Sequence, residues 1–175
     1  MDYQRKKLFL KYDTVENRMN LYSVFVERGL QLLKNGGYFG FIIPNSILYN
    51  ESYSKIRKLL LDNVCLEEIV RLPDNIFEGV KVETIILIFK KDKSKIENNS
   101  CKVLIYNQDK DIDFVSDENA DNILSFKQKD WKKDGVINLN LDRNTKKVLK
   151  QIDESSKPLD YYCEFSLGLG AYSIR

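Results

Sequence analysis

A helix, a glycine stop and an unbroken apolar strand follow one another in NLYSVFVERGLQLLKNGGYFGFIIPNS, Asn20 to Ser46, and no other stretch limits the possible folds as strongly. Leu21, Phe25 and Leu32, with Tyr22, Val26, Gly29 and Leu33 beside them, recur at steps of three and four, which predicts one broad apolar helix face. Gly29 costs this helix roughly 1 kcal/mol of propensity, an acceptable loss where a missing side chain lets the backbone approach a sheet. Asn35, Gly36 and Gly37 supply the left-handed residues that stop a helix. Tyr38 to Ile43 has no polar residue to alternate with, which predicts a strand covered on both faces in the middle of a parallel α/β sheet. Pro44 brings no N–H to a ladder and ends that strand. Ligands of such sheets collect outside the carboxyl ends of the strands, so Pro44, Asn45 and Ser46 form a candidate site rim.

Around this unit the chain alternates short elements. Residues 1–19 read as a polar loop, with Asn17 or Asn20 capping the helix. Tyr53, Ile56, Leu59 and Leu60 predict a second helix over residues 51–62. Residues 66–72 form a short strand that Pro73, Asp74 and Asn75 turn. Residues 82–89, VETIILIF, make the next strand, antiparallel to its predecessor because too few residues intervene for a crossover helix. A strand over residues 101–107 and a loop with one helical turn over 109–122 come next. Trp131 and residues 136–141 suggest a small strand region, and Asp142 caps a last helix carrying Val148, Leu149 and Ile152. Ser155, Ser156, Lys157 and Pro158 read as a linker, beyond which residues 159–175 resemble the opening strand and turn of another domain.

Composition removes several function classes. A net charge of +2 makes no case for nucleic acid by itself. The apolar runs are too short to span a bilayer, so no membrane partner is expected, and Met1-Asp2-Tyr3-Gln4-Arg5 does not begin a signal peptide. Cys65, Cys101 and Cys163 are scattered and never in a Cys-x-x-Cys pair, which fits a reduced, cytoplasmic protein without a structural zinc site. With no histidine in the sequence, Ser-His-Asp and Cys-His sites cannot be assembled from these residues, and no metal ligands are expected. No Gly-x-Gly-x-x-Gly or P-loop pattern follows a strand.

Asn20-Leu21-Tyr22, Leu32-Leu33-Lys34-Asn35-Gly36-Gly37, Phe41-Ile42-Ile43-Pro44, and Ile76-Phe77 leading into Val82 to Phe89 together resemble a known family. They are similar to the second half of the adenine-specific DNA methyltransferases of restriction-modification systems, those with the cofactor motif first and the target recognition domain last. Some members of this group fuse restriction and modification in a single chain. The resemblance covers residues 12–106, and residues 159–170 resemble the entrance to the recognition domain. It implies an α/β fold over residues 1–157, the carboxyl-terminal half of a class I (Rossmann-like) S-adenosylmethionine-dependent sheet with an antiparallel last strand, and the start of a recognition domain over 158–175. The implied activity is transfer of a methyl group from S-adenosylmethionine to the exocyclic amino group of adenine in a specific double-stranded DNA sequence. Two family motifs, the Gly-containing cofactor loop and an Asn-Pro-Pro-Tyr tetrapeptide, lie upstream of the helix at Asn20 in the family and do not occur here. The sequence therefore reads as a partial catalytic domain, inactive alone and without catalytic residues of its own. Its uncovered strand edge predicts a homodimer or a borrowed partner.

The resemblance also assigns site residues. A base must leave the duplex before its amino group can react, and Phe77 matches the position whose ring packs on the extruded adenine. Such stacking contributes about 1–3 kcal/mol per base; the alternative for Phe77 is a core plug. Phe25 matches a residue bordering the adenine ring of the cofactor, with ordinary core packing as its alternative. Lys81 is either a phosphate contact beside the flipped nucleotide or a solvated loop lysine. Asn45 lies on the substrate rim. Lys90, Lys91, Lys93, Lys95, Lys127, Lys129, Lys132 and Lys133 either track a DNA backbone or, interspersed with Asp92, Glu97, Asp130 and Asp134, form a mixed solvated face. Two rival readings remain open: a non-catalytic DNA-binding or assembly module, and a restriction nuclease in which Pro73-Asp74 and Asp130-Trp131-Lys132 imitate a metal nuclease pattern.

Overall fold

The computed structural model describes residues 11–15, 20–77, 82–108, 112–139 and 143–164. Its elements are α1 (Leu21–Leu32), β1 (Tyr38–Pro44), α2 (Ser54–Asn63), β2 (Cys65–Arg71), β3 (Thr84–Lys90), β4 (Ser100–Ile105), β5 (Asn122–Lys127), α3 (Gln128–Asp134) and α4 (Arg143–Ser155), with short 3₁₀ turns between them. The chain divides into two compact units, residues 1–139 and 140–175.

The first unit is built on a five-stranded mixed sheet in the order β1-β3-β2-β4-β5. β3 runs antiparallel to both of its neighbours, β1 and β2, as the short connection after Arg71 favours. β2 and β4 are parallel, and β5 returns antiparallel. The β1 ladder corrects the expectation of a central strand covered on both faces: β1 is the edge of the sheet, and Tyr38 and Ile42 are exposed on it. An apolar run states that a strand has dry neighbours, and not on which side they lie.

One sheet face carries the main core. Ile43 pairs with Ile85, Phe41 with Leu87 and Phe39 with Phe89, and Ile69 and Val103 continue the row. α1 runs antiparallel over β1, with Gly29 against Phe39 and Phe25 beside Phe41. A Cβ on Gly29 would lie 2.7 Å from Phe39 Cζ, so the glycine is the close approach its position in the helix implied. The helix buries Ser23, Val24, Val26, Glu27 and Leu30, while Leu21, Phe25 and Leu32 stay exposed, which corrects the predicted apolar face. Burying Ser23 and Glu27 is tolerated because both are bonded. The Ser23 hydroxyl donates to Asn20 O (2.8 Å), and the Glu27 carboxylate accepts from the Asp13 and Thr14 amides (3.1 and 3.0 Å). Asn20 is the N-cap residue but makes no side-chain cap bond; Asn17 and Asp142 lie outside the described residues. Lys91 Nζ donates to Leu30 O and Leu33 O (2.9 and 2.7 Å), so this lysine closes the carboxyl end of α1. Gly36, at φ 78°, takes the left-handed turn that follows.

Among the described residues the second sheet face is covered at one end. Val70, Leu72, Leu104 and Tyr106 pack there with Ile76, Ile86, Ile112 and Ala120. Tyr106 donates its hydroxyl to Ser116 O (2.8 Å), which holds the 112–121 loop; no helical turn forms in its described residues. β5 was not foreseen, and the predicted strand region around Trp131 is instead helix α3 followed by an irregular segment. Trp131 stacks on Phe126 and donates Nε1–H to Asn138 O (3.1 Å). In the second unit α4 leaves Val148, Leu149 and Ile152 exposed.

Gln128 ties the far end of the first unit together. Fully buried, it accepts from Leu66 N (2.9 Å) and Asn99 Nδ2 (2.8 Å) and donates to Val64 O (2.8 Å) and Leu61 O (3.3 Å). A leucine there would strand three buried backbone groups, Leu66 N, Val64 O and Leu61 O, and remove a partner of the half-buried Asn99 amide. Gln128→Leu is expected to lower the unfolding free energy in urea by about 2–4 kcal/mol, and an unchanged midpoint would contradict this account.

Candidate active-site edge

Because β3 is inserted antiparallel, the carboxyl ends of β1 and β2 and the amino end of β3 meet at one edge of the sheet. The parallel pairing of β2 and β4 adds the loop after Ile105 to the same edge. α1 runs back over β1, so its first turn belongs there too. Sequence distance thus disappears: Asn20–Phe25, the 44–50 loop, Arg71–Phe77 and Glu83 line one rim.

A polar row crosses this rim. Asn45 N donates to Glu83 O (3.0 Å), and Asn45 Nδ2 donates to Glu83 Oε2. Tyr49 Oη donates to Asn45 Oδ1 (3.1 Å), so the amide is oriented from both ends. Arg71, on the last residue of β2, approaches the same Glu83 oxygen with Nη2 at 3.8 Å, an ion pair outside hydrogen-bond range. A second group closes the loop from the α1 side. Tyr22 and Ser46 share a hydrogen bond (3.2 Å), the Tyr22 and Tyr53 rings lie 5.2 Å apart, and Asn20 Nδ2 donates to Tyr53 Oη (3.4 Å). Burial pushes the Tyr22 phenol well above its usual range, with the Ser46 bond opposing and Tyr53 reinforcing the shift. The turn that follows Arg71 is braced separately, by Asp74 N donating to Gln108 Oε1 (2.8 Å) and by Ile76 packing on the Tyr106 cluster.

The residues singled out in the sequence fall as follows. Phe77 is 45% exposed at the end of the braced turn and is not a core plug. Phe25 is 59% exposed in the second turn of α1, its ring centroid 6.3 Å from that of Phe41. Asn45 is half-buried in the polar row. Lys81 lies outside the described residues. Sequence reading assigned no site role to Arg71, Glu83, Tyr49 or Tyr22; Glu83, in the Val-Glu-Thr run, and Tyr22, in Asn20-Leu21-Tyr22, stood in the stretches that carry the resemblance. The nuclease-like pattern is split: Asp74 stands at the carboxyl end of β2, whereas Lys132 pairs with Asp62 (3.4 Å) and Glu97 (3.5 Å), where α2 leads into the amino end of β2. Among the described residues no group of three or more His, Cys, Asp and Glu could hold a metal ion, and no helix is long and apolar enough to cross a membrane.

A family model described as N-6 DNA Methylase matches residues 2–157. The chain is 38% identical over 101 residues to a putative type II restriction enzyme and methyltransferase of Methanocaldococcus jannaschii, a span of 58% of this chain and 8% of that protein. It is 32% identical over 78 residues to a type II methyltransferase of Thermus thermophilus, covering 45% of this chain and 18% of that protein. The crystal structure of the type IIG restriction endonuclease BpuSI shares the fold, with a TM-score of 0.57 at 17% identity over 81% of this chain and 18% of that one.

The buried phenol gives the rim a pH signature. A raised folded-state pKa means that the neutral Tyr22 stabilises the fold below the unfolded value of about 10, and that this contribution is lost as pH rises toward the folded value. Tyr22→Phe is therefore expected to flatten the alkaline fall in unfolding free energy above about pH 10. Parallel wild-type and variant curves across that window would contradict it.

Proposed function

This chain belongs to the N-6 DNA methylase family, and from that premise we propose that it forms part of a restriction-modification enzyme that methylates the exocyclic amino group of adenine in double-stranded DNA. The observation that carries the proposal is the family match over residues 2–157 together with an exposed Phe77 on a braced turn at the carboxyl edge of the sheet. The chain spans less than a fifth of the length of each relative described above, so the activity is proposed for the enzyme that contains these residues and not for them alone.

In this reading the adenine is extruded from the duplex, because its amino group is unreachable in the stack. Phe77 packs on the extruded ring, Asn45 belongs to the rim around it, and Lys81 meets a neighbouring phosphate. The cofactor is S-adenosylmethionine, which supplies an electrophilic methyl group on its sulfonium. Phe25, exposed beside the Phe41 ring at the start of α1, borders the adenine of the cofactor, an aromatic face being suited to a purine. The adenine nitrogen takes the methyl group and gives up a proton; orienting that nitrogen falls to an Asn-Pro-Pro-Tyr tetrapeptide, which this sequence does not contain. The end of the family match at residue 157 supports assigning 158–175 to the start of a target recognition domain. The site of action is the cytoplasm, where the DNA is.

Calorimetry on this chain is expected to show no stoichiometric binding of S-adenosylmethionine. Mixed with a polypeptide carrying the cofactor loop and the tetrapeptide, it is expected to restore transfer of labelled methyl to adenine in duplex DNA. Phe77→Ala should then cost about 1–3 kcal/mol of transition-state stabilisation. Tight cofactor binding by the chain alone, or full activity in the variant, would refute the assignment.

The exposed edge of β1, flanked by Leu21, Phe25, Tyr38 and Ile42, supports self-association of the isolated chain. Light scattering is expected to give twice the monomer mass of 20.5 kDa, and a monodisperse monomer would count against it.

A further inference from the structure

Arg71 has no role in the adenine and cofactor contacts of Phe77, Asn45, Lys81 and Phe25. It ends β2, one strand away from β1, and its side chain is 28% exposed at the rim where Asn45 and Phe77 lie. Its only ion-pair partner among the described residues is Glu83, at 3.8 Å, a distance at which no guanidinium hydrogen is committed to the carboxylate. The nearby Glu83 oxygen is instead taken by Asn45 Nδ2, and Asn45 is held in turn by Tyr49. A structural salt bridge would close to a bidentate pair, because Arg and carboxylate match each other in two parallel bonds. Here the carboxylate is tethered to the neighbouring loop. It neutralises the guanidinium at a distance and leaves the donors open to a second anion.

We infer that Arg71 is a backbone-phosphate contact for double-stranded DNA at this rim, with Glu83 as a nearby charge that weakens the contact without occupying the guanidinium. The inference rests on the reading that the Phe77 edge meets DNA. The phosphodiester is the anion that fits: it is tetrahedral, it recurs along the duplex on either side of an extruded nucleotide, and it accepts two bonds from one guanidinium. The Glu83 charge lowers the affinity of Arg71 for any phosphate, so the pair is tuned to weak, releasable contact.

The test is a fluorescence-anisotropy titration of a labelled duplex with the full chain at several salt concentrations, with Arg71→Gln and Glu83→Gln beside the wild type. Glu83→Gln keeps an acceptor for Asn45 and removes only the charge. Arg71→Gln is expected to weaken binding about three- to tenfold at about 50 mM salt and to reduce the slope of log K against log salt by about 0.9, the loss of one phosphate contact. Glu83→Gln is expected to tighten binding by a similar factor. Opposite signs in the two variants, with melting temperatures held, are not produced by a purely structural ion pair. Wild-type binding that Arg71→Gln leaves unchanged in affinity and slope overturns the phosphate contact and spares the DNA reading of the edge. No duplex binding by the wild type at the lowest salt overturns both. Should Arg71→Gln fail to fold, Glu83→Gln decides: tighter binding supports the inference, and unchanged or weaker binding overturns it.

Discussion

The antiparallel insertion of β3 between β1 and β2 is the constraint on which the architecture of the first unit depends. Twelve residues separate Arg71 from Thr84, at the lower limit of what a helical crossover needs, and β3 turns back beside β2. It then saturates the inner ladder of β1 over all seven residues, from Tyr38 opposite Lys90 to Pro44 opposite Thr84. Had the chain crossed over in parallel, Glu83 would stand at the opposite end of the sheet from Asn45. Insertion instead places the entrance of β3 at the exits of β1 and β2, and the polar row Asn45–Glu83–Arg71 follows from that register.

The same insertion explains why the helix-bearing face is the more closely packed one. β3 contributes Ile85, Leu87 and Phe89 to it, all essentially without solvent exposure, and these meet Ile43, Ile69 and the Phe39 ring. Phe39 lies between Phe89 on its own sheet and Gly29 on α1, so helix and sheet are brought together by a ring filling the space of an absent side chain. The other face leaves Tyr38, Gly40 and Ile42 exposed at the β1 end, with Lys90 Nζ 5.5 Å from the Tyr38 ring centroid, while its far end is closed by Tyr106 and the loop that Tyr106 holds. The packing of this second face is graded from closed at β4 to open at β1, whereas Arg71, paired with Ile85, belongs to the helix-bearing face.

How much of this the sequence disclosed depends on which kind of information each feature carries. The helix, the close approach at Gly29, the turn at Gly36 and the antiparallel β3 were legible because each follows from local spacing or from a connection at the lower limit for a crossover. The edge position of β1 was not, since apolar residues announce a dry surface without saying whether another strand supplies it. The buried face of α1 was misjudged because hydrophobic pattern alone ranks Phe25 above Glu27. The structure buries Glu27, whose carboxylate is paid in backbone hydrogen bonds from residues 13 and 14, and exposes Phe25. β5 carries Asn122 and Lys127 at its ends and only Phe126 buried, too little pattern for a period of two to stand out. α3 has one apolar residue in seven, so its helical period could not be seen either.

At this rim the sequence pointed to Phe77, Phe25 and Asn45 as candidates and passed over Arg71 and Glu83, and there is a physical reason for the difference. An aromatic residue in a loop is conspicuous because burial is its default, so an exposed Phe77 or Phe25 is informative once the fold shows it out of the core. Glu and Arg are unremarkable anywhere on a surface, and their meaning comes only from what the fold places next to them. Asn45, Glu83 and Arg71 are far apart in sequence and adjacent only because three strands end at one rim. A row of this kind is set by register: a one-residue slip of β3 would turn Glu83 to the other face and leave Arg71 without the charge beside it. The hydrophobic register that seats Ile85, Leu87 and Phe89 in the core therefore also fixes the electrostatics of the rim, so core packing and the polar site cannot vary independently in this fold.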